Sequence, residues 1–132
     1  MKVCVLQPDY STTEVDYKYY DPPRNLTPLL PGHEVHHVFL NKLHTYRQLK
    51  ELKKQRYDIF VNLCEGYLDW SVPSIDVIQT LDLLKLPYTG PNADLYDPPK
   101  ELMKYVAYTC GVTTPPCVIL QNMEDIDKAL HT

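Results

Sequence analysis

Apolar positions along this chain fall into short runs with two different periods, and the two kinds of run alternate. Residues 2–6 are rich in β-branched side chains and alternate weakly, the pattern of a buried first strand. Gly32 precedes a second strand at 33–40, whose apolar side comes from Val35, Val38, Phe39 and Leu40. The run at 57–63 is nearly continuous in apolar character, as expected of a central strand covered on both faces in a parallel sheet. Between these, Tyr46, Leu49, Leu52 and Lys53 recur at helical spacing, predicting a helix over 45–55 with Lys50, Lys54 and Arg56 towards its carboxyl end, where the macrodipole favours cations.

The second half continues the alternation. Ser71-Val72-Pro73-Ser74 opens a helix, with Ser71 or Ser74 as its cap. Val77, Ile78, Leu81, Leu84 and Leu86 fall mostly on one face of it, and Pro87 is expected to stop it. Residues 87–89 are long enough only for an edge strand before the turn at Gly90-Pro91. Asp97-Pro98-Pro99 restarts a helix that ends at Gly111, and on it Lys100 and Lys104 share a face, being four residues apart. A strand at 116–120 and an amphipathic helix from Asn122, with Ile126 and Leu130 on one face, complete the pattern. The expected fold is α/β: a small, mainly parallel sheet with helices on both sides, three layers in all.

The stretch between the first two strands, 7–31, is the longest irregular one, with four tyrosines, interleaved acidic residues and prolines at its far end. Loops of this length in compact domains are functional or mobile.

Composition narrows the function classes. At 132 residues, 44% hydrophobic and 23% charged, the chain has the make-up of one globular domain. No apolar run approaches a membrane span, and the opening MKVCVLQPDY is too short in apolar residues for a signal peptide, so a cytoplasmic location is expected. A net charge of −4 speaks against binding nucleic acid by phosphate neutralisation. Cys4, Cys64, Cys110 and Cys117 form no CxxC and read as reduced thiols, with Cys4, Cys110 and Cys117 in the core and Cys64 at a strand end. His33, His36 and His37 suggest a metal, but on a strand His33 and His37 stand ~13 Å apart at ~3.3 Å per residue, too far for one ion. No metal site is expected. Neither a P-loop nor a Gly-x-Ser-x-Gly elbow occurs.

In open parallel sheets ligands bind outside the carboxyl ends of the strands, which puts Cys64-Glu65-Gly66-Tyr67 at the rim of any site. The order of parts along residues 81–116 resembles that of the D-alanine–D-alanine ligase family of the ATP-grasp superfamily. The resemblance is carried by Leu81-Asp82-Leu83-Leu84-Lys85-Leu86-Pro87-Tyr88-Thr89-Gly90, by Lys100 with Lys104, and by Gly111-Val112 and Pro116, over about 35 residues. It implies a Rossmann-like amino-terminal (pre-ATP-grasp) domain over 1–115, with 116–132 as the beginning of a truncated ATP-grasp domain.

The resemblance also implies ligands and roles. Ser11-Thr12-Thr13-Glu14-Val15 is similar to the place where the family holds the ammonium group of its first amino-acid substrate, which makes Glu14 a substrate-binding residue. Glu65-Gly66 stands where the family has His-Gly, so Glu65 and Gly66 join it in the substrate site. A carboxylate in place of the imidazole disfavours an anionic group beside it and implies a substrate preference other than two D-alanines. Lys100 and Lys104 are implied as contacts to the phosphates of ATP, Lys100 foremost, with Mg completing the cofactor set in the full-length protein.

Since the family's nucleotide clamp, metal carboxylates and oxyanion-stabilising arginine lie in later domains, this chain alone is expected to be inactive and to hold no cofactor tightly. The expected partners are an amino acid and ATP, with neither nucleic acid nor membrane; pairing of two copies stays open. The alternative class is a ligase-like binding or interaction module without chemistry. It draws on the eleven tyrosines and on Gln7-Pro8-Asp9-Tyr10 standing where the family has glycines.

Overall fold

A computed structural model describes residues 1–13 and 19–130 of the chain. They form two compact units, Met1–Tyr96 and Asp97–Thr132, whereas the sequence motifs placed the boundary at 115.

The first unit is mixed α/β. Its strands are β1 (Lys2–Pro8), β2 (Glu34–Leu40) and β3 (Ile59–Asn62), and they form a parallel sheet in the order β2-β1-β3. β1 is therefore central: Val3 pairs with Val35 on one side and with Ile59 on the other. The expected edge strand at 87–89 appears as a single parallel bridge between Tyr88 and Phe60.

Two helices of ten residues each, α1 (Thr45–Lys54) and α2 (Ile75–Leu84), pack on one another. Their apolar faces supply Leu49, Leu52, Val77 and Leu81 to a core that also contains Cys4, Leu6 and Phe60 from the sheet. Three side chains on the helical stripe of α2, Val77, Ile78 and Leu81, are all but fully buried, as the periodicity requires. Other details differ from the sequence reading. α2 stops at Leu84, three residues before Pro87, because Lys85 turns left-handed (φ 54) and the amides of Lys85 and Leu86 close back on the carbonyls of Asp82 and Leu81. β1 runs on through Gln7 and Pro8, which pair with Phe39 and Leu40, so the long connection begins only at Asp9.

The start of α2 is fastened to the chain after β2 by a polar cluster. Asp76 accepts hydrogen bonds from Lys42 Nζ (2.6 Å), the Ser74 amide (2.8 Å), Ser74 Oγ (3.0 Å) and Thr45 Oγ1 (3.1 Å). Ser74 occupies the cap position as expected, yet Asp76 performs the capping and the Ser74 hydroxyl is also within reach of the Tyr67 carbonyl.

The second unit holds α3 (Lys100–Thr109) and α4 (Glu124–Leu130). Pro99, not Asp97, stands at the start of α3. At α4 the Asn122 side chain accepts the Asp125 amide, and Asp125 in return accepts the amides of Gln121 and Asn122, a reciprocal cap. The expected strand at 116–120 does not form: those residues carry no sheet pairing, and Pro115 and Pro116 have no N–H to offer one. Cys110 and Cys117 are exposed, contrary to the expectation of core positions, while Cys4 and Cys64 are buried. Among the described residues no helix is long and apolar enough to cross a membrane.

Candidate functional site

The chain leaves β1 towards β2 on one side and β3 lies on the other, so the order of the sheet reverses between the carboxyl ends of β1 and β3. That reversal point is where open parallel sheets bind ligands. A cleft of about 370 Å³ lies there, with Arg24, Asn62, Cys64, Glu65, Thr89 and Tyr96 among its lining residues.

Each wall has a local reason. On the β3 side, the Asn62 side chain accepts the Cys64 amide (3.1 Å) and turns the chain outward directly after the strand. This leaves Cys64 buried and Glu65 exposed on the rim. Gly66 follows with φ 127, and its amide donates to the Tyr96 hydroxyl (2.6 Å). A Cβ at Gly66 would lie 2.6 Å from the Trp70 ring, so only glycine admits both the backbone angle and the ring. Opposite, Thr89 is aligned by its own amide, which donates to the Phe60 carbonyl (3.0 Å), and its hydroxyl accepts the Asn62 amide (3.2 Å).

On the β1 side stands Arg24. Its backbone is gripped by the side chain of Gln7: the amide of Arg24 donates to Gln7 Oε1 (2.6 Å) and Gln7 Nε2 donates to the Arg24 carbonyl (3.1 Å). Its guanidinium pairs with Asp21 (2.6 Å), which also accepts the Tyr10 hydroxyl.

The electrostatics separate the groups that can work from those that cannot. Burial, then the charges of Asp76 and Asp21, push the Cys64 thiol well above its ordinary range, so it stays protonated and is not a nucleophile at neutral pH. Burial first, and then the hydrogen bond to Asp21, likewise hold Tyr10 as a neutral phenol. Arg24 and Glu65 are the charged side chains of the lining, one of each sign.

A smaller cavity of about 280 Å³ lies at the ends of β1 and β2, lined by Pro8, Tyr10, Pro22, Pro23 and Phe39 with Asp9 and Asp21 beside them. Asp9 is held below the usual carboxylate range, first by the Ser11 amide.

Of the residues expected from sequence, Glu65 and Gly66 lie together at the switch-point cleft. Glu14 lies outside the described residues. Lys100 and Lys104 belong to α3 in the second unit, where they differ: Lys104 donates to the Pro115 carbonyl, while Lys100 is exposed with Met103 Sδ at 4.0 Å. Among the described residues no cluster of three or more His, Cys, Asp or Glu could hold a metal ion. The histidines have other partners: His36 meets the Tyr57 hydroxyl (2.8 Å) and His37 Nε2 accepts the Leu26 amide (3.0 Å). Sequence reasoning missed Arg24, Thr89 and Tyr96. Thr89 sits inside the Pro-Tyr-Thr-Gly motif, a signal that was available; for Arg24 no local signal exists.

No family model, curated protein or solved structure matches this chain. The resemblance to the ligase family therefore rests on the quoted motifs, and the function rests on the cleft.

Proposed function

We propose that this chain is the amino-terminal part of an ATP-dependent carboxylate–amine ligase resembling D-alanine–D-alanine ligase, contributing the amino-acid site. The observation that carries this reading is the cleft at the sheet's switch point, where Glu65, two residues past the run 57–63, lines a cavity of amino-acid size. Glu65 offers a carboxylate to an ammonium group. Gly66 keeps the backbone close, and the Asn62 turn fixes the direction of both.

In such ligases ATP supplies the phosphoryl group that activates a carboxylate. This chain's own part in that step is cationic: Lys100 is the α3 lysine free of an oxygen partner among the described residues, whereas Lys104 is already donated to Pro115. Lys100 thus fits a phosphate contact and Lys104 an anchor for the segment leaving α3. A cytoplasmic setting goes with this reading, in keeping with four free thiols and a need for ATP.

The purified 132-residue chain, given D-alanine, ATP and Mg, is expected to show no ATP turnover and to bind the amino acid only weakly, in the millimolar range. ATP hydrolysis by the chain that Lys100→Ala abolishes would contradict the assignment of chemistry to later domains. A second reading, a non-catalytic interaction module, is favoured by Tyr19 and Tyr20, exposed at 86% and 80%. It predicts no amino-acid binding at the cleft at all.

A further inference from the structure

Gln7 is an unusual residue for the middle strand of a parallel sheet. It is 4% exposed, and a buried primary amide is unfavourable unless its donors and acceptor are used. Both ends of that amide go to one residue seventeen positions away, the N–H and C=O of Arg24. The pair mimics a strand-to-strand bridge and fixes the Arg24 backbone against β1.

The side chain is fixed as well. One guanidinium nitrogen pairs with Asp21 at 2.6 Å, and Asp21 is steadied by the Tyr10 hydroxyl. Because a guanidinium has five N–H donors in a planar fork, this pairing leaves donors over, and the side chain is 53% exposed. An arginine held at both ends beside a cavity is preorganised to receive an oxyanion.

We infer that Arg24 is a specificity-determining residue of the cleft: it takes the free carboxylate of the ligand whose ammonium group faces Glu65. This rests on the reading of the cleft as an amino-acid site and adds the anionic half of the recognition. The charge balance decides between oxyanions. With Glu65 lining the same cleft, a phosphate dianion meets repulsion, whereas a zwitterion satisfies one charge at each wall. The ligand class is therefore a small α-amino acid with its carboxylate free, and not its amide or ester.

Calorimetric titration of the 132-residue chain with D-alanine, D-alaninamide, acetate and inorganic phosphate tests this, using the wild type, Arg24→Gln and Arg24→Lys. Arg24→Gln is expected to weaken D-alanine about tenfold or more and to leave D-alaninamide unchanged, with Arg24→Lys in between. The melting temperature should move little, because the Gln7 contacts use only backbone atoms of residue 24 and the Asp21 pair that is lost is partly exposed. Equal affinity of wild type and Arg24→Gln for D-alanine would overturn the assignment while sparing the amino-acid reading. An equal loss on D-alaninamide would also overturn it, since Arg24 would then act on the shape of the cleft. Arg24-dependent phosphate binding tighter than that of D-alanine would overturn the ligand class. Failure of the wild type to bind D-alanine or D-alaninamide would remove the amino-acid reading, and the inference with it.

Discussion

Asp76→Ala is expected to lower the unfolding free energy by about 2–3 kcal/mol, the largest loss from any single polar substitution in this fold. The carboxylate accepts four donors, and its removal strands the Lys42 ammonium beside α2. Both side chains are mostly covered, at 16% and 18% exposure for Lys42 and Asp76. Breaking a fully buried pair costs about 3–5 kcal/mol, and the residual water contact here lowers that figure. Denaturant unfolding of Asp76→Ala beside Lys42→Met/Asp76→Leu checks the cause. The double replacement leaves no unpaired charge and should recover much of the loss.

The same group gives a pH dependence. Burial by itself would raise the Asp76 pKa, but the Lys42 hydrogen bond, the Ser74 amide and the Lys42 charge outweigh it, and the net shift is downward. A carboxyl whose folded pKa is depressed stabilises the fold above its unfolded pKa and ceases to do so as pH falls through the folded one. The wild type should therefore lose stability below about pH 4 with a steeper slope than Asp76→Ala.

Gln7→Leu is expected to cost about 2 kcal/mol despite the gain of an apolar side chain in a buried position. The two hydrogen bonds to Arg24 disappear, and the backbone of that residue must find other partners. Its signature is local. Amide exchange at Arg24 should accelerate far more than at Val5 or Phe60, and affinity for D-alanine should fall even though the guanidinium is intact. Uniform acceleration across the sheet would mean that Gln7 serves the core alone.

How much of this was readable beforehand follows from the range of the interactions. β1, β2, β3, α1 and α2 announce themselves through periodicity, because each buries a stripe or a face of its own. Glu65 and Gly66 were legible because the carboxyl ends of parallel strands mark the rim. The rank of their strand was not: the apolar run 57–63 reads as central, whereas β1 holds the middle and β3 has only the Tyr88 bridge on its other side. Residues 116–120 have the composition of a strand yet form none, since a strand is made by a neighbour and composition does not supply one. The stop of α2 at Lys85 was hidden because a left-handed lysine has no sequence signature, unlike the glycine that usually occupies that place. Arg24 was hidden most completely. Its place depends on Gln7, and a lone glutamine at the end of a first strand looks like the start of a loop.

Backbone chemical-shift mapping of the 132-residue chain during titration with D-alanine tests the central claim most directly. The account predicts that the perturbed amides cluster at Arg24, at Leu63 to Gly66 and at Thr89 to Tyr96, around the switch-point cleft. Shifts confined instead to Asp9, Ser11 and Phe39, the smaller cavity at the ends of β1 and β2, or no shifts at any concentration, would contradict it.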